Sequence, residues 1–209
     1  MEPDAVEIRV AASLVEKQRT TPDQYPLTLN SLRLACNQTT NRDPVVDYDE
    51  ATVRSALDRL TRRKWVTLAS WSTARSVKYK HLLDQALGLS DPQLAVMTVL
   101  MLRGPQTPGE LRQRAERIHR SDSNEELERT LDELIERGLC TRLPRRPGER
   151  GQRYRHLLSG GDDGPEPPSA AAPEAPPASD GVEGRLEALE AEVDSLRREL
   201  ARLREELGA

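Results

Sequence analysis

Apolar positions recur at helical spacing in two stretches of the chain, and both stretches run in the same order. In the first, Ile8, Ala11, Leu14 and Val15 mark an opening helix, and SLRLACN marks a second after TTPDQYPLTLN. A third begins at Asp49 and carries Val53, Ala56, Leu57 and Leu60 at i, i+3, i+4 and i+7. The period then shortens: WVTLAS and SVKYKHLL read as two strands around a small polar turn. In the second stretch, SDPQLAVMTVLMLRG opens with Ser90 or Asp91 as the cap and Pro92 just inside. It is apolar nearly all round, which predicts burial between neighbouring units. TPGE at 107–110 and SNEE at 123–126 read as capping boxes. Leu127, Leu131, Leu134 and Ile135 then share one helix face, and LCTRLPR and GQRYRHLL flank the turn RPGERG.

Each stretch ends on nearly the same six residues, KYKHLL at 78–83 and RYRHLL at 153–158. Three helices followed by a two-stranded wing describe a winged helix, so the repeat predicts two such units in tandem. The first covers residues 1–89 and the second 90–159, giving a mainly α fold with small β wings. The hexapeptide is then the second wing strand running back into the body. Tyr79 and Tyr154 pack on it, and the leucines re-enter the core. The competing reading is a ligand site built from Tyr79, His81, Tyr154 and His156.

Beyond Ser159 the pattern changes twice. Residues 160–184 are mostly Pro, Ala, Gly and acids, a composition with little to bury, and they read as a disordered linker. Residues 185–209 restore periodicity, with Leu186, Leu189, Val193, Leu196, Leu200, Leu203 and Leu207 spaced alternately three and four apart. This is a heptad seam. A parallel pair sets Glu192 against Arg197 and Glu199 against Arg204 of the partner helix, whereas an antiparallel pair opposes glutamates, so the expected state is a parallel homodimer. An amphipathic helix folded back on the body is the alternative.

Composition sharpens this picture in three ways. Hydrophobic residues make up 36% of the 209 and there is no Phe, which is lean for one large core but sufficient for small helical units. The net charge of −4 is unevenly spread: residues 1–89 and 90–160 are each net +2, while 161–184 carry six acids and no base. The part expected to fold is therefore mildly basic, which permits nucleic-acid binding without requiring it. Finally, no apolar run is long enough to span a membrane, and MEPDAVEIRV has no export-signal character. Cys36 and Cys140 each sit in apolar surroundings, so they read as buried thiols of a cytoplasmic protein.

Three stretches carry a resemblance to a known family: EKQRTTPDQYPLTLNSLRLACNQTTNRDPV at 16–45, LMLRGPQTPGELRQRAER at 100–117 and RYRHLLSG at 153–160. They resemble the bacterial YceH-like proteins (UPF0502, domain of unknown function 480). The resemblance implies a tandem winged-helix fold, often followed by a coiled-coil tail. It implies no activity, so no functional residue is carried over. The chain departs from the family at IHRSDS, 118–123, where the family tends to keep an aromatic.

Candidate chemistry narrows to binding. The three histidines and two cysteines show no metal-ligand spacing, no nucleophile motif occurs, and TPGEL lacks phosphate-loop spacing. The expectation is a non-enzymatic protein without metal or cofactor. In a winged helix the third helix enters the major groove and the wing touches the backbone. The first third helix carries Arg54, Arg59, Arg62, Arg63 and Lys64, and its wing adds Arg75, Lys78 and Lys80. The second third helix is dominated by carboxylates, yet its wing is basic, with Arg145, Arg146 and Arg150 among its charges. Double-stranded DNA is the expected partner. The alternative is a protein adaptor like the tandem winged-helix partners of chromosome-organising ATPases, which the acidic helix and the zipper suit.

Overall fold

A computed structural model describes residues 2–69, 76–120, 123–145 and 151–159; the linker and the heptad seam lie outside these residues. The described chain is mainly helical with two small antiparallel sheets. Its order is α1 (Ala5–Thr20), a single 3-10 turn (Pro22–Gln24), β1 (Leu27–Thr28), α2 (Leu29–Cys36), α3 (Glu50–Arg62), β2 (Val66–Leu68) and β3 (Lys78–His81). It continues with α4 (Leu83–Leu87), α5 (Asp91–Arg103), α6 (Pro108–Ala115), α7 (Asn124–Glu136), β4 (Cys140–Arg142) and β5 (Tyr154–His156).

The repeated hexapeptide occupies equivalent places in the two sheets. Tyr79 lies opposite Leu68 of β2 on one side and Leu27 of β1 on the other. Tyr154 lies opposite Arg142 of β4 and bridges to Gln106, two residues before α6. His81 pairs with Val66, and His156 with Cys140. Leu27 and Gln106 each stand one residue before a threonine that caps the next helix, Thr28 for α2 and Thr107 for α6. The motif is thus the strand that ties the sheet to the start of each second helix. After it, Leu83 is fully buried and Leu158 packs on the core. Neither β1 nor α4 was expected: β1 is two residues long, and α4 is a five-residue helix, too short to show a period.

Helix limits follow local chemistry. The hydroxyls of Thr107 and Ser123 and the carboxylate of Asp49 each accept the N–H three residues on. Asp4 and Glu7 form a reciprocal box at the start of α1, a DxxE signal that the apolar pattern did not single out. At the ends of α3 and α7 the same motif recurs. Lys64 N–H donates to Thr61 O and Trp65 N–H to Leu60 O, while Gly138 N–H donates to Ile135 O and Leu139 N–H to Leu134 O. Residue 138 is glycine at φ 67°, whereas Lys64 holds φ 63° with a side chain, a conformation that costs an L-residue free energy.

One hydrophobic core runs through both repeats. Helix α5 is buried from Gln93 to Leu102, as its unbroken apolar character requires, and it packs against α1, α6 and α7. Helix α1 is buried just as completely from Glu7 to Glu16, charged residues included. Burying charge is costly unless it is paired and hydrogen-bonded, and these groups are. Arg42 Nη2 meets Glu16 Oε2 at 2.5 Å, and its guanidinium also donates to the carbonyls of Ala35 and Asn41 and to Gln38 Oε1. Arg9 donates to the carbonyls of Cys36 and Pro44. Both cysteines are buried free thiols, and burial pushes each up to about 11, which keeps them protonated and unreactive.

Candidate nucleic-acid interface

Helix α3 buries Val53, Ala56, Leu57 and Leu60 and turns its other face to solvent. Arg54 and Arg62 stand on that face, and Lys64 follows at the left-handed turn; all three are exposed and, among the described residues, none has an ion-pair partner. Asp58 shares the face and tempers its charge.

Arg59 and Arg63 are placed differently. Arg59 Nη2 lies 2.7 Å from Asp4 Oδ2 and its Nε 3.2 Å from Glu7 Oε2. Arg63 Nε lies 3.1 Å from Glu7 Oε1. The two carboxylates that cap α1 therefore also tie it to the last turns of α3. Glu7 is buried, so these guanidiniums compensate a buried charge and are not free to leave for a phosphate without a cost. No local signal reveals this, since the partners lie 55 and 56 residues apart.

In the first hairpin Lys78 is half-buried and Lys80 exposed. Arg145 is exposed after β4, while Arg75, Arg146 and Arg150 lie outside the described residues. The second repeat presents an acidic face: Glu125, Glu128, Asp132 and Glu136 of α7 are exposed, with Arg129 among them. Its hairpin answers part of that charge. Arg142 Nη2 pairs with Asp132 Oδ1 at 2.5 Å, and the guanidinium lies 5.9 Å from the centroid of the Tyr154 ring.

His81 of the hexapeptide is buried. Its ring lies 6.3 Å from Tyr25, and its backbone N–H donates to the Tyr25 hydroxyl at 2.8 Å. Nδ1 accepts the Leu83 N–H, so Nε2 carries the proton and donates to Gln18 Oε1 at 2.5 Å. Burial pushes the imidazole down to about 4, against the pull of Asp84, and Tyr25 up to about 12. Tyr25 lies in the loop before β1, and no periodic pattern marks it. Among the described residues no three His, Cys, Asp or Glu side chains gather as a metal site would require. No helix among them is long and apolar enough to cross a membrane.

The depressed His81 has a signed consequence. Above pH 6.5 the ring is neutral folded and unfolded, and its stabilising contacts count in full. Between 6.5 and 4 the unfolded chain takes up a proton that the folded ring refuses, so stability falls as pH falls. Urea titrations should show the wild type losing about 2 kcal/mol more than His81→Gln between pH 7.5 and 5. Parallel losses in the two proteins would assign the acid sensitivity to other groups.

Comparison with known proteins covers nearly the whole chain. A family model described as "Protein of unknown function, DUF480" matches residues 4–149. A UPF0502 protein of Pelobacter propionicus is 47% identical over 201 residues, covering 95% of this chain and 91% of the relative. One from Azotobacter vinelandii is 45% identical over 188 residues, covering 90% and 83%. One from Opitutus terrae is 48% identical over 172 residues, covering 78% and 75%.

Proposed function

The chain belongs to the DUF480 family, and from that premise we propose that it is a non-enzymatic, cytoplasmic tandem winged-helix protein that binds double-stranded DNA through its first repeat. The observation that carries this reading is the outward face of α3, where Arg54, Arg62 and Lys64 have no ion-pair partner among the described residues. A third helix with such a face reads the major groove, with a lysine-bearing hairpin beside it for the backbone. Replacing Arg54 and Arg62 with Gln and Lys64 with Gly removes three cations and leaves the buried pairs of Arg59 and Arg63 intact. Glycine also suits the left-handed turn at 64. Gel shifts across a salt series should show weaker binding to all duplexes and a flatter salt dependence, by somewhat under one unit per lost phosphate contact. An unchanged slope would leave these residues as a solvated face.

Oligomerisation belongs to the same proposal. Replacing Leu196 and Leu200 with Lys puts charge into the heptad seam, and light scattering should report a fall from dimer to monomer. An unchanged mass would move the subunit contact to the winged-helix body.

The exposed carboxylates of α7 support a second reading, a protein adaptor whose partner presents a basic surface. The absence of duplex binding by the wild type at low salt would favour it.

A further inference from the structure

A cleft lies where α1, α5, α6 and the loop before residue 44 meet, and cations crowd it. Arg103, Arg114 and Arg117 line it together with Glu16 and Asn41, over an apolar floor of Val99, Leu102 and Ile118. Arg42 pairs with Glu16 on its buried side, and Glu110 pairs with Arg114. The lining itself holds three guanidiniums against one carboxylate, a surplus of two positive charges.

The internal contacts leave most of these guanidinium donors unused. Arg103 Nη1 donates to Asn41 Oδ1 at 2.9 Å, Arg114 Nη1 lies 3.2 Å from Glu110 Oε1, and Arg117 Nη2 contacts Glu16. These are their only polar side-chain partners among the described residues. Helix packing alone would not gather three arginines at a half-buried cleft, because like charges at low dielectric repel. The repulsion is felt: burial, followed by Arg114 and Arg117, lowers the Arg103 guanidinium from its ordinary value. The side chains of Arg114 and Arg117 remain 26% and 45% exposed, so a ligand can reach them from solvent.

We infer that this cleft binds a dianionic phosphoryl group, held by Arg103, Arg114 and Arg117, with Asn41 orienting Arg103. Guanidinium forks match phosphate oxygens in geometry, and a dianion cancels the local surplus. Glu16 keeps Arg117 and Arg42 in place. The inference is independent of the α3 reading, because free phosphate suffices to test it.

The experiment uses the full chain at pH 7.5, with inorganic phosphate, acetate and chloride compared at matched ionic strength. Phosphate should raise the melting temperature saturably and give a titration calorimetry isotherm, and the other two salts should not. Arg114→Gln, which loses only a helix-surface pair with Glu110, should bind phosphate at least about tenfold more weakly while melting near the wild type without ligand. Arg103→Gln, which keeps an amide to meet Asn41, should do the same. Equal stabilisation by chloride or acetate, or wild-type phosphate affinity in both variants, would overturn the inference. Two sources carry this chemistry, a small phosphate ester and a nucleic-acid backbone. The same variants in the duplex gel shift separate them: unchanged duplex binding assigns a small ester, and a matching loss assigns the backbone.

Discussion

Glu16→Gln should destabilise the protein by about 3–5 kcal/mol, the cost of leaving a buried partner charge uncompensated. The Arg42 side chain is 0% exposed and that of Glu16 only 2%, so water cannot replace the lost carboxylate. Arg117, on the far side of Glu16, loses its anchor at the same time. The pair is not an independent module. Arg42 also satisfies the Ala35 and Asn41 carbonyls and thereby fixes the loop between α2 and α3. Replacing Glu16 with Leu and Arg42 with Met together should recover only part of the loss, because those carbonyls then lack a donor. Urea unfolding of Glu16→Leu, of Arg42→Met and of the double variant closes the cycle. Full recovery in the double variant would mean that the loop does not depend on Arg42.

The second large effect is expected at Leu100. It is fully buried in α5, the helix that packs against α1 of the first repeat and α6 and α7 of the second. Leu100→Ala removes buried methyl groups where little can collapse to fill the space, at a cost of about 2–5 kcal/mol. Because one core spans both repeats, the loss should appear as a single transition shifted to lower urea, seen equally by tryptophan fluorescence, both tryptophans lying in the first repeat, and by helical circular dichroism over the whole chain. Two separated transitions, with the tryptophan signal unmoved, would show that the repeats fold independently.

These two positions divide what could be read in advance from what could not. Leu100 stands in a run apolar on every side, and the burial of α5 was legible from that alone. The third helices were equally legible: Val53, Ala56, Leu57 and Leu60 on α3 and Leu127, Leu131 and Leu134 on α7 all turned inward. The caps at Thr107 and Ser123 stand where their residues predicted, as does the return of the repeated hexapeptide into the body. Periodicity and capping act over one helical turn, so the sequence carries them complete.

The charged residues are another matter. Arg54, Arg59, Arg62 and Arg63 form one basic string in the sequence, and nothing local separates the outward pair from the pair held by Asp4 and Glu7. Glu16 sits on a helix whose polar positions resemble an ordinary solvated face, yet it is buried between Arg42 and Arg117, the latter 101 residues away. Spacing along the backbone was enough to place the main helices, the wing strands and their apolar buried faces, short β1 and α4 excepted. Which charges face one another, and so which arginines remain open to a ligand, follows only from the folded chain, because an ion pair needs two distant segments brought within a few ångströms and withdrawn from water.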